Sequence, residues 1–175
     1  MRRIPIVQGE HRVVTEPNVV ITTVLGSCVA VCLQDPVARI GGMNHFLLAE
    51  PAPGNVTAKA DMQRYGIHAM ELLINEMMRH GAARDRLRAH LYGGANIVAG
   101  LGNIGGTNAS FARAFIEMEG IAIGHCDLGG HKARKVEFLP YEGKARSAIV
   151  TDVPLAPPMP RPQPRLAPAG EIELF

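Results

Sequence analysis

Between Val19 and Leu48 the chain runs through apolar and β-branched stretches broken twice by residues that bend a backbone. No other feature limits the fold as much. Val19–Val24 is a Val/Ile/Thr run suited to a strand, and Leu25-Gly26-Ser27 interrupts it. Cys28–Leu33 then alternates, with Val29, Val31 and Leu33 on one face and Cys28, Ala30 and Cys32 on the other. Asp35-Pro36-Val37-Ala38 suits a tight turn, because Asp favours the first position and Pro the second. A further strand over 40–48 ends at Pro51 and Pro53. A chain patterned in this way makes an antiparallel hairpin with two unlike faces. With 35–38 as the turn, Cys28 falls directly across from His45, their Cβ atoms about 4.5–5.5 Å apart. Gly41-Gly42 could host a bulge that shifts this register.

After the hairpin the apolar period changes. Ile67, Met70, Leu73, Ile74 and Met77 gather on one side of a helix predicted over Asp61–Arg79, with Asp61 as its N-cap and Gly81 as its stop. A strand around 87–92 leads into the glycine-rich stretch 93–106. Phe111, Ala114, Phe115 and Met118 mark a second helix closed by Gly120, and short strands are expected at 121–123, 136–139 and 145–150. Seven of the 13 prolines fall between Pro154 and Pro168. The expected organisation is therefore one domain over 1–153 and an extended, flexible tail over 154–175. The apolar residues of the closing Glu171-Ile172-Glu173-Leu174-Phe175 give that tail a possible docking end.

Composition excludes several classes. With 47% apolar and 19% charged residues, the 175-residue chain can fill an ordinary core. A net charge of +2, no Trp and no basic stripe argue against a nucleic-acid partner. The two arginines of MRRIPIVQGEHRV precede no apolar run, so no signal peptide is expected, and no stretch is long enough for membrane insertion. Cys28, Cys32 and Cys126 are odd in number and unlike a disulfide framework, which points to the cytoplasm. There a cysteine is free to act as a nucleophile. A free thiol has a pKa of about 8.5, and a neighbouring imidazolium stabilises its thiolate. The Gly26-Ser27 turn can aim backbone N–H groups at one point beside Cys28, as the oxyanion of an attacked amide requires.

The blocks TTVLGSCVAVCLQDP (22–36) and GGMNHFLLAE (41–50) closely resemble the CheD family of chemoreceptor glutamine deamidases. The likeness continues through RYGIHAMELLINEMMRHGA (64–82), YGGAN (92–96), NIG (103–105) and DLGG with ARKV (127–136), so it covers about the first 150 residues in order. It implies an α+β fold, a layered α/β sandwich of mixed sheets flanked by helices. It also implies that Cys28 is the nucleophile and His45 the general base, with Thr22, six positions before the cysteine, orienting the histidine. Thr23 is an adjacent rival that should point to the opposite face of the strand. The implied substrates are glutamines of methyl-accepting chemotaxis receptors, converted to glutamates through a Cys thioester with release of ammonia. No cofactor or metal is implied. Some members also hydrolyse methyl esters, and some are controlled by a CheC-type phosphatase, which makes such a phosphatase a candidate partner. Asn96, where an apolar residue is common, and Gly106-Thr107 depart from the family pattern.

Three other readings compete. Gly100-Leu-Gly102-Asn-Ile-Gly105, followed by Asp127, imitates a dinucleotide-binding fingerprint, but Gly93-Gly94 ends the preceding strand early and too little chain follows for a second half. A zinc site could draw on Cys28, Cys32, His45, His125, Cys126 or His131, yet four strand residues span about 13 Å, too far for Cys28 and Cys32 to share a metal. Lastly, the chain could be a non-catalytic regulator that binds receptors or a phosphatase. A pure binder has no need of Cys, His and Thr together. Arg134 is read as a carboxylate-binding residue on the surface.

Overall fold

In the computed structural model the described residues are 1–48, 56–98, 100 and 102–151, so the proline-rich segment 154–175 lies outside them. Nine strands and two helices follow in order: β1 (Arg2–Pro5), β2 (His11–Val14), β3 (Val19–Leu25), β4 (Val29–Asp35), β5 (Ile40–Phe46), α1 (Val56–Arg79), β6 (Arg88–Gly93), α2 (Ile104–Met118), β7 (Ala122–Leu128), β8 (Arg134–Leu139) and β9 (Lys144–Ile149). They form a four-stranded sheet ordered β1-β3-β8-β9 and a five-stranded sheet ordered β2-β5-β4-β6-β7. Both sheets are mixed, because β1–β3 and β6–β7 pair in parallel while the other neighbours are antiparallel.

The alternation in β4 explains the layering. Val29, Val31 and Leu33 pack with Met70, Leu73, Ile74 and Met77 of α1 and with Ala112, Phe115 and Ile116 of α2. Ala30 and Cys32, on the other face, pack with Ile21 and Leu25 of β3 and with Val136 and Phe138 of β8. The five-stranded sheet is thus buried on both faces, between helices and the second sheet, which is why every residue of β5 is buried. This is the layered α+β arrangement expected from the sequence.

Several local expectations shift. Helix α1 begins at Val56 rather than Asp61, since Thr57-Ala58-Lys59-Ala60 readily continues it backwards. Ile67 is 43% exposed while its four expected partners are fully buried. In α2 the buried stripe is Asn108, Ala112, Phe115 and Ile116, and Met118 is exposed. The hairpin register also differs from the expected one. Asp35 stays in the strand opposite Ile40, so residues 36–39 make the loop and Ala30, not Cys28, pairs with His45. The Asp35 carboxylate causes this. One oxygen accepts from the N–H groups of Val37 and Ala38, and the other accepts from Ala83 N–H and the Arg86 guanidinium. Arg39 completes the loop with φ of 55°. A shift of this kind moves the register by two positions and leaves every side chain on its face.

Candidate active site

Three segments meet at Cys28. The turn Gly26-Ser27 delivers it from β3 to the start of β4; β5 brings His45; and the link between β1 and β2 brings residues 6–10. Cys28 and His45 share the face of Ala30, on which the cysteine is the diagonal neighbour of the histidine. Such neighbours have Cα atoms about 7–8 Å apart, within the reach of an imidazole. The thiol donates to Gln8 Oε1 at 3.5 Å.

His45 is only 6% exposed, and the backbone of the β1–β2 link holds it on both sides. Its N–H donates to Glu10 O, and its carbonyl accepts from Gly9 N–H. Its Nδ1 lies 2.8 Å from Thr23 Oγ1. The Thr23 hydroxyl donates to Ile6 O at 2.8 Å. Its single proton is therefore committed, and Thr23 can only accept from His45. The imidazole is fixed with its proton on Nδ1. Nε2, buried and without a hydrogen-bond partner among the described residues, carries the free lone pair.

Thr22, the expected orienting residue, sits elsewhere. It pairs with Pro5 and Glu137 on the outer side of the four-stranded sheet, while Thr23 shares the inner face with Ile21 and Leu25. The strand period decides between the two. Thr23 is the residue against His45.

Burial sets the resting charge of both groups. It pushes the Cys28 thiol up to about 11, against the pull of the cysteine's own backbone N–H. It pushes His45 down to about 4, and the negative charge of Glu10 only partly opposes this. Near neutral pH the pair is therefore a thiol and a neutral imidazole. The imidazolium–thiolate pair expected from the residue types is not the resting form.

The turn that carries Cys28 is held by its carbonyls. Gly26 O accepts from Ala95 N–H, Ser27 O from Asn108 Nδ2 at 2.8 Å, and Cys28 O from Gly94 N–H. In a trans peptide the N–H points opposite to the C=O. The N–H groups of Ser27 and Cys28 thus face away from these anchors. Gly93 is required here, since with φ of 107° a Cβ would stand 2.2 Å from Cys28 O. Asn108, fully buried on α2, also accepts from Leu48 N–H and so ties both ends of the hairpin to one helix. Sequence reasoning missed it; the only signal was a polar residue on the apolar stripe of α2.

Beside the turn opens a cleft of about 310 Å³ lined by Ser27, Cys28, Asn96, Ile97, Val98 and Ile104, among others. Ile97 and Val98 form an exposed apolar lip. Asn96 closes its floor by accepting from Gly105 N–H and donating to Asn103 Oδ1.

The competing constellations are used otherwise. Gly102 and Gly105 line the cleft at Cys28. Asp127 is bound to the Arg134 guanidinium and to Ser147. Arg134 is 3% exposed and also holds the carbonyls of Asp127 and Gly129, so it clamps a loop and does not receive ligands at the surface. Cys126 accepts from Arg113, His125 bonds to Tyr92 and His131 to Asn96. Among the described residues no three His, Cys, Asp or Glu side chains are grouped to hold a metal ion. Nor is any described helix long and apolar enough to cross a membrane.

Comparison with known proteins places this geometry in context. Residues 47–148 match the model of the family described as CheD chemotactic sensory transduction. The probable chemoreceptor glutamine deamidase CheD of Agrobacterium fabrum is 50% identical over 181 residues, covering 99% of this chain and 97% of its own. Its counterpart in Acidiphilium cryptum is 48% identical, covering 99% and 94%, and that of Caulobacter vibrioides is 46% identical, covering 99% and 93%. Among solved structures, Bacillus licheniformis hypothetical protein YfiH overlaps 47% of this chain and 26% of its own at 17% identity, with a TM-score of 0.32, a likeness too loose to bear on the site.

Proposed function

The chain belongs to the CheD family, and from that premise we propose that it is a chemoreceptor glutamine deamidase with Cys28 as nucleophile, His45 as general base and Thr23 as the residue that orients the base. The observation that carries this reading is the committed Thr23 hydroxyl. It leaves Nε2 of His45 as an unprotonated, unengaged base on the face of Cys28.

The reaction starts from the neutral pair. Sγ of Cys28 attacks the side-chain carbonyl carbon of a receptor glutamine while its proton passes to His45 Nε2. The oxygen becomes an oxyanion facing the N–H groups of Ser27 and Cys28; one such donor contributes about 3–4 kcal/mol in a transition state. The resulting imidazolium gives its proton to the amide nitrogen, the C–N bond breaks, and ammonia leaves a thioester. Water then adds as Nε2 takes its proton, and the thioester collapses to a glutamate side chain and the Cys28 thiol. A buried thiol with a raised pKa suits this order, because proton transfer and attack proceed together.

The test is mass mapping of a receptor cytoplasmic fragment incubated with the protein. Wild type should convert selected glutamines to glutamates with stoichiometric ammonia, and Cys28→Ala and His45→Ala should release none while still binding the fragment. Undiminished release by Cys28→Ala would overturn the mechanism. Binding by wild type with no amide-to-acid change at any glutamine would favour the non-catalytic regulator.

A further inference from the structure

Gln8 has no part in the reading above, yet its carboxamide touches the reacting sulfur. The thiol donates to its Oε1 at 3.5 Å. The segment that presents it is braced on both sides: Ile6 N–H donates to Thr22 O, Gly9 N–H to His45 O, Glu10 N–H to Val7 O, and Val7 N–H to the Glu10 carboxylate. Gln8 therefore stands beside Sγ, on a link whose neighbours also position the base.

We propose that Gln8 is a further catalytic residue, the side-chain donor of the oxyanion site. The inference rests on the deamidase reading. In the resting state the thiol is a donor, and Oε1 accepts from it. Once sulfur has given its proton to His45 Nε2 and bonded to the substrate carbon, it no longer donates to Oε1, and the new oxyanion repels an oxygen facing it. Rotation of the carboxamide about its last bond exchanges Oε1 for Nε2, whose two N–H groups can donate to the same point. A primary amide is a neutral side chain able to serve both states. The Cys28 N–H, with Ser27 O held back by Asn108, supplies the companion donor from the other side. The bonds that brace the backbone on either side hold Gln8 in place, and in this role its carboxamide assists and is not consumed.

The experiment compares wild type, Gln8→Ala and Gln8→Glu as full chains. Steady-state deamidation of a receptor fragment should show kcat lowered about 10²–10³-fold in Gln8→Ala, the usual effect of losing an oxyanion donor, with KM within about threefold of wild type. Gln8→Glu, which can accept but not donate, should be no better. A second arm needs no receptor: isotope-labelled propionaldehyde adds to Cys28 as a hemithioacetal, read by carbon NMR, and both variants should bind it at least about 10-fold more weakly. Equal hemithioacetal stability in all three proteins would overturn the proposal even if no deamidation were found. So would an unchanged or raised kcat in Gln8→Ala, which would make Gln8 a blocking group. A gain of one dalton at residue 8 in wild type, absent in Cys28→Ala, would make it a substrate and also defeat the proposal.

Discussion

Thr23 and His45 act as a unit because a hydroxyl has one proton to give. Thr23→Val keeps the volume and removes the acceptor for Nδ1–H, so the ring loses its fixed tautomer. We expect kcat to fall by up to about 10²-fold, the lower end of what a positioned general base contributes. Thr22→Val, on the outer face, should stay close to wild type, and steady-state kinetics on both variants checks this. The pH profile follows from the same ring. His45 takes up a proton only as pH falls through about 4, so kcat/KM should hold down to about pH 5 and drop below it. A resting imidazolium–thiolate pair would instead change near the ordinary imidazole value, about 6.5. Stability has the matching sign. The unfolded chain protonates this ring near the ordinary value and the folded one does not until about 4, so folding weakens as pH falls across that interval. Denaturant titrations on either side of it should show the loss, and His45→Phe should lessen it.

At the scale of elements, the two-faced hairpin was legible because strand alternation was unbroken from Val29 to Leu33, and its faces stand as read. The register was not. It depends on Asp35 being held by Ala83 and Arg86, about fifty residues away, and no local pattern announces such a partner. β1 and β2 escaped notice for a similar reason: each is only four residues long, β1 is mostly exposed and β2 has one buried residue, so neither carries a clear apolar period. Yet the link between them contributes Gln8 and both backbone contacts to His45. Asn108 is the other unannounced element contact. Asn108→Ala leaves Ser27 O and Leu48 N–H without their partner, which should cost about 1–3 kcal/mol in denaturant unfolding. It should also lower kcat more than it raises KM, since the turn carrying Cys28 loses its anchor. Equal effects on both constants would show that the contact serves substrate binding instead.

At the scale of the whole molecule, the nine strands and two helices found among the described residues all lie before residue 151. The domain expected over 1–153 is accordingly proposed to fold and work without the proline-rich segment. A chain ending at 153 should keep the full-length melting temperature and kcat; loss of either would show that the tail contributes to the core or the site. The two sheets divide the labour. The helix-backed sheet carries His45 and begins β4 just after Cys28, and the other carries Thr23, whose proton goes to the carbonyl of Ile6. Ile6 lies just past β1, an edge strand whose backbone ladder among the described residues is with β3. The tautomer of His45 thus depends on a contact made at the edge of a sheet. Peeling β1 off β3 would free the threonine to donate, send the imidazole proton to its other nitrogen, and silence the sulfur without moving it.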